Sequence, residues 1–268
     1  MSRTMARRPA VLPALALAVA VAGCRFEAPG LRWMETHGRW NFKDLAAWPG
    51  GALGIGMDDR VFHYPGSWGA PWNPPLPMPA RAVAASPRAI WVVGTDGVLK
   101  RLDGGRNDAV RPYPQSAAWS IQALTVSEDD RPYVLVAGRW KELRENGELD
   151  DTACADATAG AATTGRLYVV GTDGHLRAAL PDGRCEAVDT GGRAVTAVTA
   201  YRAELAFVDD GGHGFWRRDE TWRALPVPVV YREDRFPRRT TIRKLATSQL
   251  ALWAIDNEGQ VFVLWEDP

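Results

Sequence analysis

Beyond residue 30 the apolar positions of this chain come in short runs divided by polar turns, and the spacing of an amphipathic helix is scarce. A run of apolar and small residues is followed by a turn, then by an aromatic or β-branched run such as Ile90-Trp91-Val92-Val93. Side chains of that kind fit the pleated, half-buried surface of a strand. Next comes Asp-Gly, a tight-turn signal because glycine enters φ > 0 without a Cβ clash. An alternating strand such as Val98-Leu99-Lys100-Arg101 follows. The pattern predicts hairpins of short antiparallel strands.

The hairpins repeat. Trp91-Val-Val-Gly-Thr-Asp-Gly-Val-Leu-Lys-Arg101 recurs almost unchanged as Tyr168-Val-Val-Gly-Thr-Asp-Gly-His-Leu-Arg177, and looser copies begin at Leu53, Tyr133, Leu205 and Leu252. Each copy is preceded by a strand-like piece, centred near Leu45, Ala84, Leu124, Ala161, Val198 and Leu245, at intervals of 39, 40, 37, 37 and 47 residues. A unit of about 40 residues with four short strands is the mark of a propeller blade. The expectation is an all-β, six-bladed β-propeller over residues 31–268, with a seventh blade, a barrel or a sandwich as alternatives. The last copy lacks a final strand, while Leu31-Arg-Trp33 and Gly38-Arg-Trp40 belong to none. Pairing the first segment beside the C-terminal strands would leave no open edge. The short Trp- and Gly-Asp-Gly-bearing copies resemble, weakly, those of tectonin-type and related bacterial β-propellers. That resemblance implies a fold and leaves function open.

The N-terminus reads as an address. Arg3, Arg7 and Arg8 precede an uncharged stretch from Pro9 to Ala22, which is too short for a span of about 20 residues. Val21-Ala22-Gly23-Cys24 then resembles the bacterial lipobox. The resemblance implies cleavage after residue 23, acylation of Cys24 with more than one chain, and a short tether over residues 24–30. Two buried chains suffice for stable membrane anchoring. Arg25 and Phe26 stand where an Asp tends to retain such lipoproteins at the inner membrane, so the resemblance favours the outer membrane of the cell envelope. Cys154 and Cys185 remain; in an oxidising compartment they are expected to bridge, the alternative being two buried thiols.

Charge narrows the function. The full chain carries 32 basic and 32 acidic residues. Loss of residues 1–23, with three Arg, leaves 245 residues with 29 basic and 32 acidic groups, a net of −3. Nucleic-acid binding by counterion release needs the opposite balance. No Gly-x-Ser-x-Gly, His-Glu-x-x-His, Walker or Rossmann motif is present. The four His, at 37, 63, 175 and 213, recur with no partner pattern, so no catalytic residue, cofactor or metal is assigned. Aspartates recur at the turns (Asp58, Asp96, Asp173, Asp209, Asp256), where they either cap the turn or form a carboxylate rim for Ca²⁺.

The expected function is therefore a membrane-anchored, non-catalytic binding or scaffold protein for an envelope protein partner. The alternatives are a lectin-like module for a cell-wall or surface glycan and, with less weight, a propeller hydrolase with an acidic site. Two segments depart from the repeat and are the partner-binding candidates. Trp68 and Trp72 lie in a Pro-rich connection that either packs on the body or presents a recognition surface. The interval of 47 residues places an insertion at 226–244, expected to be a loop because Pro226, Pro228 and Pro237 discourage ladder pairing. There Tyr231, Arg232, Arg235, Phe236, Arg238 and Arg239 combine guanidinium and aromatic groups, the residue types that dominate interface hot spots.

Overall fold

The computed structural model describes residues 31–36, 41–48, 51–65, 72–73, 76–103, 110–218, 220–231, 236–249 and 251–266. They form strands throughout, with one short 3₁₀ turn at Pro114–Trp119. After β1 (Leu31–Glu35) come β2 (Phe42–Trp48), β3 (Gly51–Gly56), β4 (Arg60–Tyr64) and the long β5 (Leu76–Ala85). The first residues of β5 pair with β4 and its second half pairs with β6 (Ala89–Gly94), which leads to β7 (Leu99–Asp103) and β8 (Val110–Tyr113), so β2 to β8 form one continuous sheet. Three four-stranded sheets follow: β9 (Ala123–Val126), β10 (Pro132–Val136), β11 (Arg139–Leu143) and β12 (Leu149–Asp151); then β13 (Ala157–Thr163), β14 (Arg166–Gly171), β15 (Leu176–Ala179) and β16 (Cys185–Ala187); then β17 (Val195–Tyr201), β18 (Glu204–Asp209), β19 (Gly214–Arg218) and β20 (Thr221–Ala224). A two-residue hairpin, β21 (Val229–Val230) with β22 (Arg238–Arg239), precedes β23 (Ile242–Thr247), β24 (Leu252–Asp256) and β25 (Val261–Glu266). This last sheet is completed by β1, which runs antiparallel to β25 with Leu31 opposite Glu266 and Glu35 opposite Phe262. The unassigned N-terminal segment thus covers the C-terminal edge as its sequence position predicts.

The six strand centres read from the repeat all fall on the first strand of a unit: β2, the second half of β5, β9, β13, β17 and β23. These inner strands pack one on the next in order, and β23 packs back on β2. Close approach is permitted by small residues, since Ala46, Ala84, Ala161, Ala162 and Ala246 are all buried there. Polar latches fix neighbours in register. Val83 N–H donates to Asp44 Oδ2 (3.2 Å), Ala162 N–H to Thr125 Oγ1 (3.2 Å) and Thr247 N–H to Thr199 Oγ1 (3.1 Å). Between the last and first units Lys244 pairs with Asp44, and Arg243 Nη2 donates to the carbonyls of Phe42 (3.1 Å) and Lys43 (3.0 Å). A narrow cavity of about 90 Å³ remains along the axis.

Aromatic side chains fill the wedges between sheets. Trp91 stacks on Tyr113 (centroids 5.6 Å apart) in a cluster with Leu124 and Val134 of the next sheet. Trp140 is fully buried and its Nε1–H donates to Ala159 O (3.2 Å). Gly160 permits this: a Cβ there would lie 2.7 Å from the indole. The Asp-Gly turns form as read. Gly97 and Gly174 have φ of 80° and 75°, and Gly259, which follows Glu258, has 84°, backbone values that cost other residues conformational energy.

Two expectations are corrected. The insertion at 226–244 is not ladder-free. Its prolines lie outside the two paired residues of each strand, so Val229 and Val230 pair with Arg239 and Arg238, and Thr240 N–H adds a bond to Pro228 O (3.0 Å). Trp72, a candidate recognition residue, is only 8% exposed. It packs on Phe42 (4.4 Å) and Tyr64 (5.3 Å), so its indole belongs to the core joining the first and last sheets.

Candidate functional site

The strand order gives the molecule two loop faces. One, the entry face, carries the turns between first and second strands and between third and fourth strands of each unit; β1 begins there, at Leu31 beside the end of β25. The other, the crossover face, carries the turns between second and third strands and the crossovers to the next unit, including the 226–241 insertion.

On the crossover face the recurrent aspartates cap their own turns. Asp96 Oδ1 accepts from Val98 N–H (3.0 Å), Asp173 Oδ1 from His175 N–H (3.0 Å), and Asp256 Oδ1 from Glu258 and Gln260 N–H (2.9 and 2.8 Å). Arg177 and the turn amide hold the Asp173 carboxyl down at about 2. No group of three His, Cys, Asp or Glu among the described residues is placed to hold a metal ion. The described histidines do not converge. His63 is half-buried on β4 with Nδ1 3.3 Å from Asn73 Nδ2, and burial lowers its pKa; His213 Nδ1 lies 3.2 Å from Asp209 Oδ1.

The insertion hairpin is moored at its base. Trp33 Nε1–H donates to Pro226 O (2.7 Å), Arg238 pairs with Glu258, Thr240 Oγ1–H donates to Asp256 Oδ2 (3.0 Å), and Asn257 Nδ2–H donates to Thr241 Oγ1 (2.7 Å). Tyr231 and Phe236, by contrast, are 72% and 96% exposed, and Arg239 is exposed beside them in sequence. Met57, 66% exposed, lies on the same face at the turn of the first unit. Of the residues predicted for partner contact, Tyr231, Phe236, Arg238 and Arg239 share this one hairpin. Arg232, Arg235 and Trp68 lie outside the described residues, as does Cys24.

Cys154 and Cys185 form a disulfide with Cα atoms 5.5 Å apart. It ties the crossover that follows β12 to β16, the outermost strand of the next sheet.

A cleft that the sequence does not announce, of about 790 Å³, opens between the second and third units, lined by Trp91, Arg101, Arg111, Asp130, Glu142 and Arg144. Asp130, at φ 71°, accepts from Trp91 Nε1 (2.9 Å), Ser86 Oγ (2.6 Å) and Arg101 Nη2 (2.7 Å). Its bonding capacity is spent on joining two sheets. Nothing in Glu128-Asp129-Asp130-Arg131 distinguishes that carboxylate from its neighbours.

No family model matches this chain and no curated protein matches it. Solved structures do. Virginiamycin B lyase from Staphylococcus aureus, as the catalytically inactive H270A form with quinupristin, aligns with TM-score 0.57 and 8% identity over 87% of this chain and 99% of that one. YCF48 bound to D1 peptide aligns with TM-score 0.54 and 17% identity over 85% and 78%. PorZ, a surface component of the type-IX secretion system of Porphyromonas gingivalis, aligns with TM-score 0.52 and 11% identity; this chain matches over 86% of its own length and spans 37% of PorZ. At these identities the likeness is one of fold: the chain is an all-β protein of propeller-like antiparallel sheets.

Proposed function

We propose that this protein is a lipid-anchored, six-bladed β-propeller that serves the cell envelope as a non-catalytic scaffold for a protein partner. The cyclic packing of six inner strands supports the blade count, and the pairing of β1 with β25 is in keeping with closure. The disulfide is in keeping with an exported protein. The observation that carries the binding role is the moored hairpin with Tyr231 and Phe236 exposed. Large aromatics held out on a fixed base lose little conformational freedom on docking, and next to Arg they make the usual anchors of an interface. Among the fold neighbours PorZ is a component of a secretion system and YCF48 binds a peptide, in keeping with a protein partner, whereas the lyase shows that the fold also hosts chemistry. Burial of Trp72 withdraws one of the two indoles on which the glycan reading stood.

The test is the double variant Tyr231→Ser/Phe236→Ser, compared with wild type in envelope cross-linking and in thermal unfolding. An unchanged unfolding midpoint with loss of the cross-linked protein species supports the site. Retention of the same species at wild-type yield overturns it.

A further inference from the structure

The chain enters the fold on the face opposite the hairpin. Leu31 stands beside Glu266 at the end of β25, on the entry face, while the insertion leaves from the crossover face. Only seven peptide steps separate Cys24 from Leu31, which span at most about 25 Å when fully extended. An inner strand such as β13, seven residues long, already crosses about 23 Å from one face to the other. A lipid at Cys24 therefore holds the entry face within a strand's length of the bilayer, and no comparable length is left to bring the hairpin down to it.

The same face carries unspent positive charge. The turns between first and second strands hold Arg88 in the second unit, Arg131 in the third, Arg166 in the fourth and Arg202 in the fifth. Arg131 is engaged by Asp129 (2.9 Å). Arg88, Arg166 and Arg202 are exposed and form no ion pair with a described carboxylate. The acids of the third unit's turn are occupied. Asp129 and Asp130 are paired with Arg131 and Arg101, while Glu128 Oε2 accepts from Thr164 N–H (2.7 Å) and its Oε1 from Arg202 N–H. These three guanidinium groups thus sit on the turns that follow the inner strands, Arg88 at the rim of the cleft between the second and third units and Arg202 5.3 Å over the Tyr201 ring, while the outer loops carry Glu145, Glu148 and Asp182. The large exposed apolar side chains of the loops, Met57, Tyr231 and Phe236, are on the other face.

From this we propose that the entry face is a membrane-apposed surface: the arginines of its inner turns take anionic phospholipid headgroups, and the hairpin is displayed towards the aqueous space. The proposal rests on the reading of Cys24 as an acylated residue. A covalent lipid and a cluster of arginines are the two signals that together give stable peripheral attachment, and guanidinium forks match phosphate oxygens in pairs.

The acylated full-length protein is reconstituted into vesicles with and without an anionic phospholipid. A fluorophore is placed on Gln249→Cys, in the turn between β23 and β24 on the entry face, or on Met57→Cys, on the crossover face; the native cysteines are bridged. With a quencher on the lipid headgroup, the label at 249 is expected to be quenched severalfold more than that at 57, and more so on anionic vesicles. The triple variant Arg88→Ser/Arg166→Ser/Arg202→Ser is expected to lose the anionic enhancement. Equal quenching at the two positions, or stronger quenching at 57 from insertion of the hairpin aromatics, overturns the orientation; an enhancement that survives in the triple variant overturns the role of the arginines. Fatty-acid labelling separates the two readings. Label absent from wild type, or retained in Cys24→Ser, ends the anchoring itself, whereas labelled protein with equal quenching ends only the orientation.

Discussion

At the scale of single residues, the repeated turn shows most directly how local chemistry makes this fold. In each Asp-Gly copy the carboxylate accepts the amide two residues on, and the glycine that follows takes a left-handed conformation. Gly97, at φ 80°, isolates the second effect, because a Cβ there would meet nothing closer than 3.7 Å. Gly97→Ala therefore introduces no collision, only the backbone penalty of an L-residue in that region, about 1–2 kcal/mol. Chemical denaturation is expected to show a loss of that size with an unchanged slope. A midpoint that does not move would mean that the turn relaxes instead. The first unit already tolerates such a residue: Asp59 stands at φ 65° and is paired with Lys43.

Elements meet through their ends and edges. The fourth unit is closed by β16, a three-residue strand that is exposed throughout. So short and solvated an edge adds little by its own ladder, and the Cys154–Cys185 bridge secures it to the preceding crossover. With a sequence separation of 31 between the partners, the chain-entropy model assigns the bridge about 3–4 kcal/mol. Cys154→Ser/Cys185→Ser is expected to lower stability by up to that amount, and hydrogen exchange is expected to speed up first in β16 and β15. Exchange that rises evenly over all sheets would show that the bridge acts on the unfolded chain alone. The insertion hairpin has the opposite build, with four side-chain bonds at its base.

For the whole molecule the decisive contact is the one between the chain's beginning and its end. β1 supplies the fourth strand of the last sheet, and Trp33 packs on the cluster formed by Leu245, Ala254 and Phe262. A chain that begins at residue 41 would leave β25 with a row of unpaired amides and carbonyls, which invites pairing with another copy. The expected result is a lower unfolding midpoint together with concentration-dependent association in light scattering. A monomer of unchanged midpoint would show that the other sheets hold the fold without this strand.

How far this protein can be read without its structure follows from the range of the interactions involved. Hairpins, their turns and the six repeat centres were legible because they depend on neighbours within a few residues: apolar alternation, Asp-Gly, and side chains that suit a pleat. The pairing of β1 with β25 and of Cys154 with Cys185 could also be read, since an unmatched strand and an even pair of cysteines each leave one economical solution. What separates Trp72 from Tyr231 could not. Both are aromatics in Pro-rich departures from the repeat, yet one fills the wedge between the first and last sheets and the other stands in solvent. Likewise Asp130 looks like any turn aspartate until the neighbouring sheet brings Trp91, Ser86 and Arg101 to it from 39, 44 and 29 residues away. Which face receives β1, and which arginines there form no ion pair with a described carboxylate, is a property of the packed sheets. Burial and charge pairing are decided by groups from different sheets, and only the tertiary fold sets those side by side.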